Sequence, residues 1–132
     1  MMTETQVEVM EEKGLDSKIP CLALNDILMD NAREADAPRI RPAREKTGST
    51  DFGNIMHRIP GSCIRVAFVK EDASSHSLDY VEAGKSKEAH GAILCGAKIL
   101  CGAAADLIRE PELLKQVKAE FAERLAAEQR IK

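Results

Sequence analysis

Residues 48–77, GSTDFGNIMHRIPGSCIRVAFVKEDASSHS, are the stretch on which the predicted fold depends. Three side chains near its start, those of Ser49, Thr50 and Asp51, can accept hydrogen bonds from backbone N–H groups two or three residues further on. A short helix is therefore predicted to begin here and to end at the Pro-Gly pair that follows. Residues 62–70 then alternate with a period of two, with β-branched and aromatic side chains on one face, which predicts a strand.

A polar loop follows the predicted strand and carries His76. Ligands collect at the carboxyl ends of strands in open α/β sheets, so this loop is a candidate site. Taken alone, however, His76 is better interpreted as a surface histidine. The plainer role of Ser49, Thr50 and Asp51 is helix capping, which contributes about 1 kcal/mol, and capping is compatible with a place beside a substrate.

The rest of the chain predicts a second strand and three more helices. Alternation predicts the strand over residues 5–10, and three- and four-residue spacing of apolar side chains predicts helices over about residues 20–36, 85–108 and 111–129. The run 89–108 is the most apolar, but it contains His90, Lys98 and Asp106, which favours a buried helix over a membrane span. Its glycines each cost up to about 1 kcal/mol relative to alanine, which predicts very close packing against a neighbouring element.

Two strands about fifty residues apart do not make a stable sheet. Residues 62–70 carry apolar side chains on both faces, which is typical of a central parallel strand whose neighbours must come from elsewhere. The pattern therefore predicts an α/β chain that is part of a larger domain. Its exposed strand edges favour oligomerisation.

The composition is that of a globular protein with one domain: 132 residues, 44% hydrophobic and 31% charged. The formal net charge of -3 gives no reason to expect nucleic acid or a membrane as a partner. A local basic cluster lacks interleaved aromatic residues and is interpreted as a solvated loop; its members are Arg39, Arg41, Arg44 and Lys46. The start of the chain has no signal-peptide pattern and the four cysteines have no C-x-x-C spacing, so reduced thiols and a cytoplasmic location are expected.

The motif GSTDFGN at residues 48–54, the Pro60-Gly61 pair and His76-Ser77 together resemble a known family. They are similar to the closing part of the catalytic domain of the zinc-dependent carboxypeptidase G and aminoacylase family, in the branch of p-aminobenzoyl-glutamate hydrolases and dipeptidases. The resemblance continues through Glu82-Ala83-Gly84 and the last two predicted helices. It implies a helix-rich fragment of a three-layer α/β/α catalytic domain over residues 18–132, with residues 1–17 as a remnant strand of the lid and dimerisation domain.

The same resemblance implies roles for five residues. His76 corresponds to a zinc ligand, and the turn residues correspond to a substrate-binding surface; these are Ser49, Thr50, Asp51 and Asn54. No catalytic residue is implied, because the other ligands and the general base belong to segments upstream of this chain. A catalytic zinc site needs about three protein ligands, so no stable zinc binding by this chain alone is expected. The sequence departs from the branch at residues 62–64, Ser-Cys-Ile, which weakens any assignment to one substrate class.

The resemblance thus implies a truncated carboxyl-terminal segment of a metal-dependent amidohydrolase or dipeptidase that is inactive alone. In the intact homologue, the substrate is a small amide, an N-acyl or aminobenzoyl amino acid or a dipeptide. The expected partner is a second identical chain or a complementing chain. Two alternatives remain open: a non-catalytic interaction module that pairs its strands with a partner, and a helical structural protein without a ligand.

Overall fold

A computed structural model describes residues 6–12, 14–41 and 50–131, and the architecture over these ranges is helical. Five helices follow one another along the chain: α1 (Leu22–Glu34), α2 (Phe52–Met56), α3 (Leu78–Ala83), α4 (Lys87–Arg109) and α5 (Pro111–Ile131). No strand forms within the described ranges. The only β feature there is an isolated parallel bridge between Pro20 and Gly61, in which the Cys21 N–H donates to the Gly61 carbonyl at 3.0 Å.

The predicted three-layer α/β/α fold is therefore wrong for the described chain, and residues 62–70 show why. Their side chains do alternate: Ile64, Val66 and Phe68 are half-buried, while the residues between them are exposed. Val66 packs beside α4, where a Cβ on Gly96 would lie 3.7 Å from its Cγ2. No backbone hydrogen bond joins residues 62–69 to any other described segment. The alternation thus arises from one face lying on a helix, without a neighbouring strand.

The predicted strand at residues 5–10 is also wrong for those of its residues that the structure describes. Thr5 lies outside the described residues, and residues 6–10 belong to no helix or strand. Val7 and Val9 are both largely exposed. The proposed division of the chain at residues 17 and 18 stays a prediction.

The core lies where α1, α4 and α5 pack on one another. It is made of small and aliphatic side chains, namely Cys21, Ile27, Leu28, Ala32, Ile99, Ala103 and Val117. Local sequence explains where the long helices start. The Ser86 hydroxyl caps α4 by accepting from the Ala89 N–H at 3.1 Å, and Pro111 begins α5 because its fixed φ and missing N–H suit a first helical position.

Helices α1 and α4 approach most closely at Gly102. A Cβ placed there would lie 1.8 Å from the Asn31 Oδ1 atom. Asn31 is buried, and its Nδ2 donates to the Ile27 carbonyl at 3.0 Å and to the Asp106 carboxylate at 2.6 Å. Close packing at an α4 glycine is thereby confirmed for Gly102. Gly91, in contrast, has open space around the position of a Cβ.

Glu120 joins the last helix to the first. Its carboxylate accepts from the backbone N–H groups of Leu22 and Ala23, at 2.8 and 2.7 Å, and from Arg124 Nε at 2.5 Å. Burial on its own would raise the pKa of Glu120, but the hydrogen bonds from Ala23, Leu22 and Arg124 outweigh it and lower that pKa to about 2. A side chain of α5 thus satisfies the free N–H groups at the start of α1.

The outward side of α4 is apolar and exposed, so the prediction that this helix is buried is wrong. The sequence predicts an apolar stripe through Ala89, Ile93, Ala97, Leu100, Ala104 and Leu107 or Ile108. Ala89 is buried and Leu107 is half-buried, but the other members are exposed. The packed side carries Ile99 and Ala103 instead. By length and composition alone, α4 could cross a membrane, since its most apolar 18-residue stretch has a mean hydropathy of 1.7 and only 11% of that stretch is buried.

Candidate functional site

The turn before α2 carries Thr50 and Asp51, two of the predicted substrate-binding residues. Asn54 lies within α2, and Ser49 lies outside the described residues. Thr50 Oγ1 accepts from the Phe52 N–H at 3.3 Å, so this hydroxyl is the one that caps the helix start. Asp51 has helical φ and ψ, its carboxylate is exposed and it makes no capping hydrogen bond. Its side chain accepts a hydrogen bond from the Thr50 hydroxyl at 3.3 Å and is otherwise open to solvent in the described part of this turn.

Asn54 is engaged by the protein itself. Its Oδ1 accepts from the Asp16 N–H at 2.8 Å, and a Cβ on the neighbouring Gly53 would lie only 2.2 Å from the Asp16 carbonyl. His57 adds a hydrogen bond from its Nε2 to the Ser17 carbonyl at 3.0 Å. These contacts hold the segment before α1 against α2, so the structure gives Asn54 and His57 packing roles.

His76 stands exposed on the loop before α3, with a left-handed backbone φ of 61°. Residues other than glycine are uncommon in this conformation, although asparagine, aspartate and histidine adopt it more often than the rest, and it costs about 1 kcal/mol or more. No hydrogen bond or ion pair in the described part of the chain joins His76 to Thr50, Asp51 or Asn54. Among the described residues, no hydrogen bond or ion pair therefore links the two halves of the predicted site.

The described residues do not fit a zinc site. Among them, no three His, Cys, Asp or Glu side chains are placed to share a metal ion. The four cysteines are free thiols, and one of them, Cys21, is buried. Burial is the largest cause that raises the pKa of the Cys21 thiol, and the nearby Glu120 carboxylate raises it further. A backbone hydrogen bond lowers this pKa but does not cancel the shift. His76 thus has no described partner with which to hold zinc.

An open hollow of about 860 Å³ lies between residues 67–73 and the segment from α3 to the start of α4. Four carboxylates and one ammonium group line it, those of Asp72, Asp79, Glu82, Glu88 and Lys70. The Phe68 ring, which also lines it, meets Tyr80 edge to face with centroids 5.3 Å apart. We call this feature the acidic hollow. Its excess of carboxylates favours a cationic group over an anionic one.

Sequence reasoning missed the acidic hollow. The carboxylates come from a loop, from both ends of α3 and from the first turn of α4, so no motif or fixed spacing unites them. The one available signal was the density of acidic side chains between residues 71 and 88. His76 falls inside that stretch but is not among the residues that line the hollow.

Comparison with known proteins gives two relatives. The chain is 40% identical to human Xaa-Arg dipeptidase over 84 residues, which is 63% of this chain and 19% of the human protein. The mouse Xaa-Arg dipeptidase matches equally well, with 40% identity over 83 residues. The chain thus spans about a fifth of the length of the curated relatives that it matches. No family model matches the chain, and no solved structure does.

These matches confirm the coarser part of the predicted resemblance, a likeness to a dipeptidase. They do not test the carboxypeptidase G assignment, the p-aminobenzoyl-glutamate branch or the zinc ligand at His76. Those finer statements stay predictions.

Proposed function

We propose that this chain is a segment of a dipeptidase-type hydrolase that acts on dipeptides ending in arginine. The observation that carries the proposal is the 40% identity over 84 residues with a protein named for that activity. Identity at this level over more than half of the chain favours a shared structural context. The substrate class is taken from the relative's name.

The acidic hollow supports this substrate class. An arginine side chain is a permanent cation with five N–H donors, and carboxylates are its preferred partners. The hollow offers four carboxylates against the single ammonium group of Lys70. A p-aminobenzoyl-glutamate molecule carries two carboxylates and would be repelled there. Charge therefore favours Xaa-Arg over the glutamate conjugates that the sequence resemblance also allowed.

We further propose that the chain does not hydrolyse a peptide bond by itself. Within the described ranges, no side chains converge as a metal site, and Asp51 and His76 lie apart without a shared hydrogen bond. Hydrolysis then needs groups from a complementing polypeptide. The chain would contribute the acidic hollow, and by the resemblance His76, to the completed enzyme.

The test is hydrolysis of Ala-Arg by three samples in zinc-containing buffer. They are the purified chain, the human dipeptidase lacking the segment that aligns with it, and the two co-expressed. We expect hydrolysis only in the third sample, with p-aminobenzoyl-glutamate left intact. Hydrolysis by the chain alone would contradict incompleteness, and cleavage of the glutamate conjugate but not of Ala-Arg would contradict the substrate class.

Variants of the acidic hollow sharpen the test. The double change Asp79→Asn with Glu82→Gln is expected to raise KM for Ala-Arg by about tenfold, because it removes two of the carboxylates. Glu123→Gln, an exposed acidic residue on α5, is the matched control and should leave KM unchanged. Equal effects of the two sets of changes would show that general charge, and not the hollow, is responsible.

A second candidate function is a non-catalytic interaction module. The exposed apolar side of α4 favours it, since monomeric proteins rarely expose contiguous apolar surface of that extent. This candidate predicts a stable complex without hydrolysis in the co-expression experiment.

A further inference from the structure

The outward side of α4 is a continuous apolar surface along most of the helix. It is formed by Ile93, Leu94, Ala97, Leu100, Ala104 and Ile108. The four large side chains among them are between 58% and 80% exposed. The opposite side of α4 already packs on α1 and α5, so the helix has two apolar sides, of which only one is covered. A broad apolar helix face is normally buried against another surface. We call these six residues the α4 face.

A line of cations borders one edge of the α4 face. Lys87, Lys98 and Arg109 recur every eleven residues, which is close to three helical turns, so they lie along one side at intervals of about 16 Å. All three are exposed, and none makes an ion pair within the described part of the chain. The other edge of the α4 face meets the packed side of the helix and carries no such line.

This one-sided charge disfavours a second copy of the chain. If two α4 faces pack antiparallel around a two-fold axis, both cation lines come to the same edge and repel one another. If they pack parallel, the positive helix N-termini lie side by side. The surface that complements the α4 face is apolar and carries carboxylates along one edge.

We propose that the α4 face binds the part of a dipeptidase-type protein that this chain does not span, through an apolar surface edged with carboxylates. This inference rests on the proposed function, because the chain matches only 19% of the human relative. That relative is several times longer than the 84 matched residues, so a protein of this type offers further surface that could cover the α4 face. A membrane surface lacks that support, and the net charge of -3 opposes an anionic bilayer.

The test measures complex formation between the purified chain and the human dipeptidase that lacks the aligned segment, after co-expression. Size-exclusion chromatography with light scattering reports a one-to-one complex, and sedimentation reports the chain alone. We expect the double change Ile93→Asp with Leu100→Asp to weaken the complex by roughly a hundredfold or more, because it places two charges in the centre of the apolar contact. Val81→Asp, at an equally exposed apolar residue of α3, is the matched control.

A separate variant tests the contribution of the line of cations. Lys98→Glu sits at mid-helix, away from the helix dipole, and is expected to weaken the complex by about tenfold at low salt, with a smaller effect at high salt. Lys118→Glu on α5 is the matched control, since it is also exposed and outside any ion pair in the described chain. Circular dichroism checks that each variant keeps the helical content of the parent.

Four outcomes would overturn the proposal. They are the absence of a complex, a complex that tolerates both sets of α4 changes, a dimer of the chain that those changes dissociate, and binding to phosphatidylserine vesicles that those changes abolish. The last two would assign the α4 face to a second copy or to a membrane.

Hydrolysis of Ala-Arg in the same samples separates the two proposals. A complex that depends on the α4 face but lacks activity keeps this inference and removes the proposed function. Activity that survives the α4 changes keeps the proposed function and removes this inference.

Discussion

His76 holds a backbone conformation that most side chains avoid, on a loop that contributes little to the core. With a φ of 61°, its Cβ crowds the following carbonyl, and relief is available only to glycine or to a short polar side chain. A histidine at this position therefore lowers the stability of the folded chain relative to glycine. This observation makes His76 the first residue to test for a role beyond packing.

Two substitutions at His76 are expected to move stability in opposite directions. His76→Val should lower the free energy of unfolding by about 1–2 kcal/mol, because a β-branched residue tolerates positive φ least. His76→Gly should leave it unchanged or raise it by up to about 1 kcal/mol. Urea denaturation of both variants measures the difference, and equal stabilities would show that the loop simply rearranges.

A zinc titration by calorimetry is the companion measurement for His76. Because the described residues do not fit a zinc site, we expect no stoichiometric binding by the isolated chain. Binding that disappears in His76→Ala would mean that a site assembles nonetheless.

The turn before α2 shows what the sequence could predict at the scale of single residues. It offered several adjacent acceptors, and a cap was correctly predicted. Which side chain caps depends on backbone angles that the sequence does not reveal. Asp51 has helical angles, with φ -60° and ψ -18°, so its carboxylate does not turn back to the helix start, and Thr50 takes that role. The sequence likewise predicted that Asn54 is available to bind a substrate, but its Oδ1 accepts from the Asp16 N–H.

At the scale of elements, the contact between α1 and α4 depends on the missing side chain of Gly102. Gly102→Ala would drive a methyl group into Asn31, whose amide is held by Ile27 and Asp106. We expect a loss of about 1–3 kcal/mol in the free energy of unfolding. Gly91→Ala, in the same helix but in open space, should instead stabilise by about 0.5–1 kcal/mol.

Thermal and urea unfolding of the two alanine variants provide the comparison. Because the substitution and the helix are the same, the difference between them isolates the close approach from helix propensity. A stabilised Gly102→Ala would show that Asn31 moves aside without cost.

The helices were largely predictable from the sequence and the strands were not. Three- and four-residue spacing placed α1, α4 and α5 to within a few residues, because a helix satisfies its backbone hydrogen bonds within the segment. A strand needs a neighbour. Residues 62–70 show the side-chain alternation of a strand, but pattern alone could not reveal that no described strand pairs with their backbone. The short helix α3 was not predicted, since its six residues are too few to display a period.

Which side of α4 packs was also beyond the sequence. Both sides are apolar, so the stripe through Ile93 and Leu100 and the stripe through Ile99 and Ala103 were equally acceptable. Gly102 lies at the contact with Asn31 of α1, but Gly91, eleven residues earlier on the same side of α4, has open space around it. Glycine position alone therefore could not reveal the packed side either.

At the scale of the whole molecule, Glu120 connects the two ends of the helical core. Its folded pKa of about 2 lies below the ordinary value of 4.5, so its contribution to stability is fully present above about pH 4.5. That contribution disappears as the pH falls from 4.5 towards 2. We expect the free energy of unfolding to drop by about 2–3 kcal/mol over this interval because of Glu120.

Glu120→Gln should be less stable than the parent at neutral pH, because an amide is a weaker acceptor for Leu22, Ala23 and Arg124. Its stability should also change less between pH 4.5 and 2. Urea denaturation at several pH values measures both effects. Glu123→Gln on the same helix is the control, and an identical pH profile for the two variants would contradict the assignment.

The acidic hollow belongs to this scale too, because residues 67–73, helix α3 and the start of α4 must come together to form it. The sequence resemblance led to a dipeptidase without revealing the hollow, and the fold revealed the hollow without a catalytic centre. The carboxylates of the hollow share no motif, so the sequence could predict the likeness to a dipeptidase but not the hollow.

The exposed side of α4 has a consequence for the life of the protein in a cell. Chaperones and proteases act on chains that display uncovered apolar surface. A newly made copy with Ile93, Leu100 and Ile108 in water is such a chain. Copies synthesised in excess of the partner that covers α4 would then be degraded. The cellular amount of this protein would therefore depend on the amount of that partner.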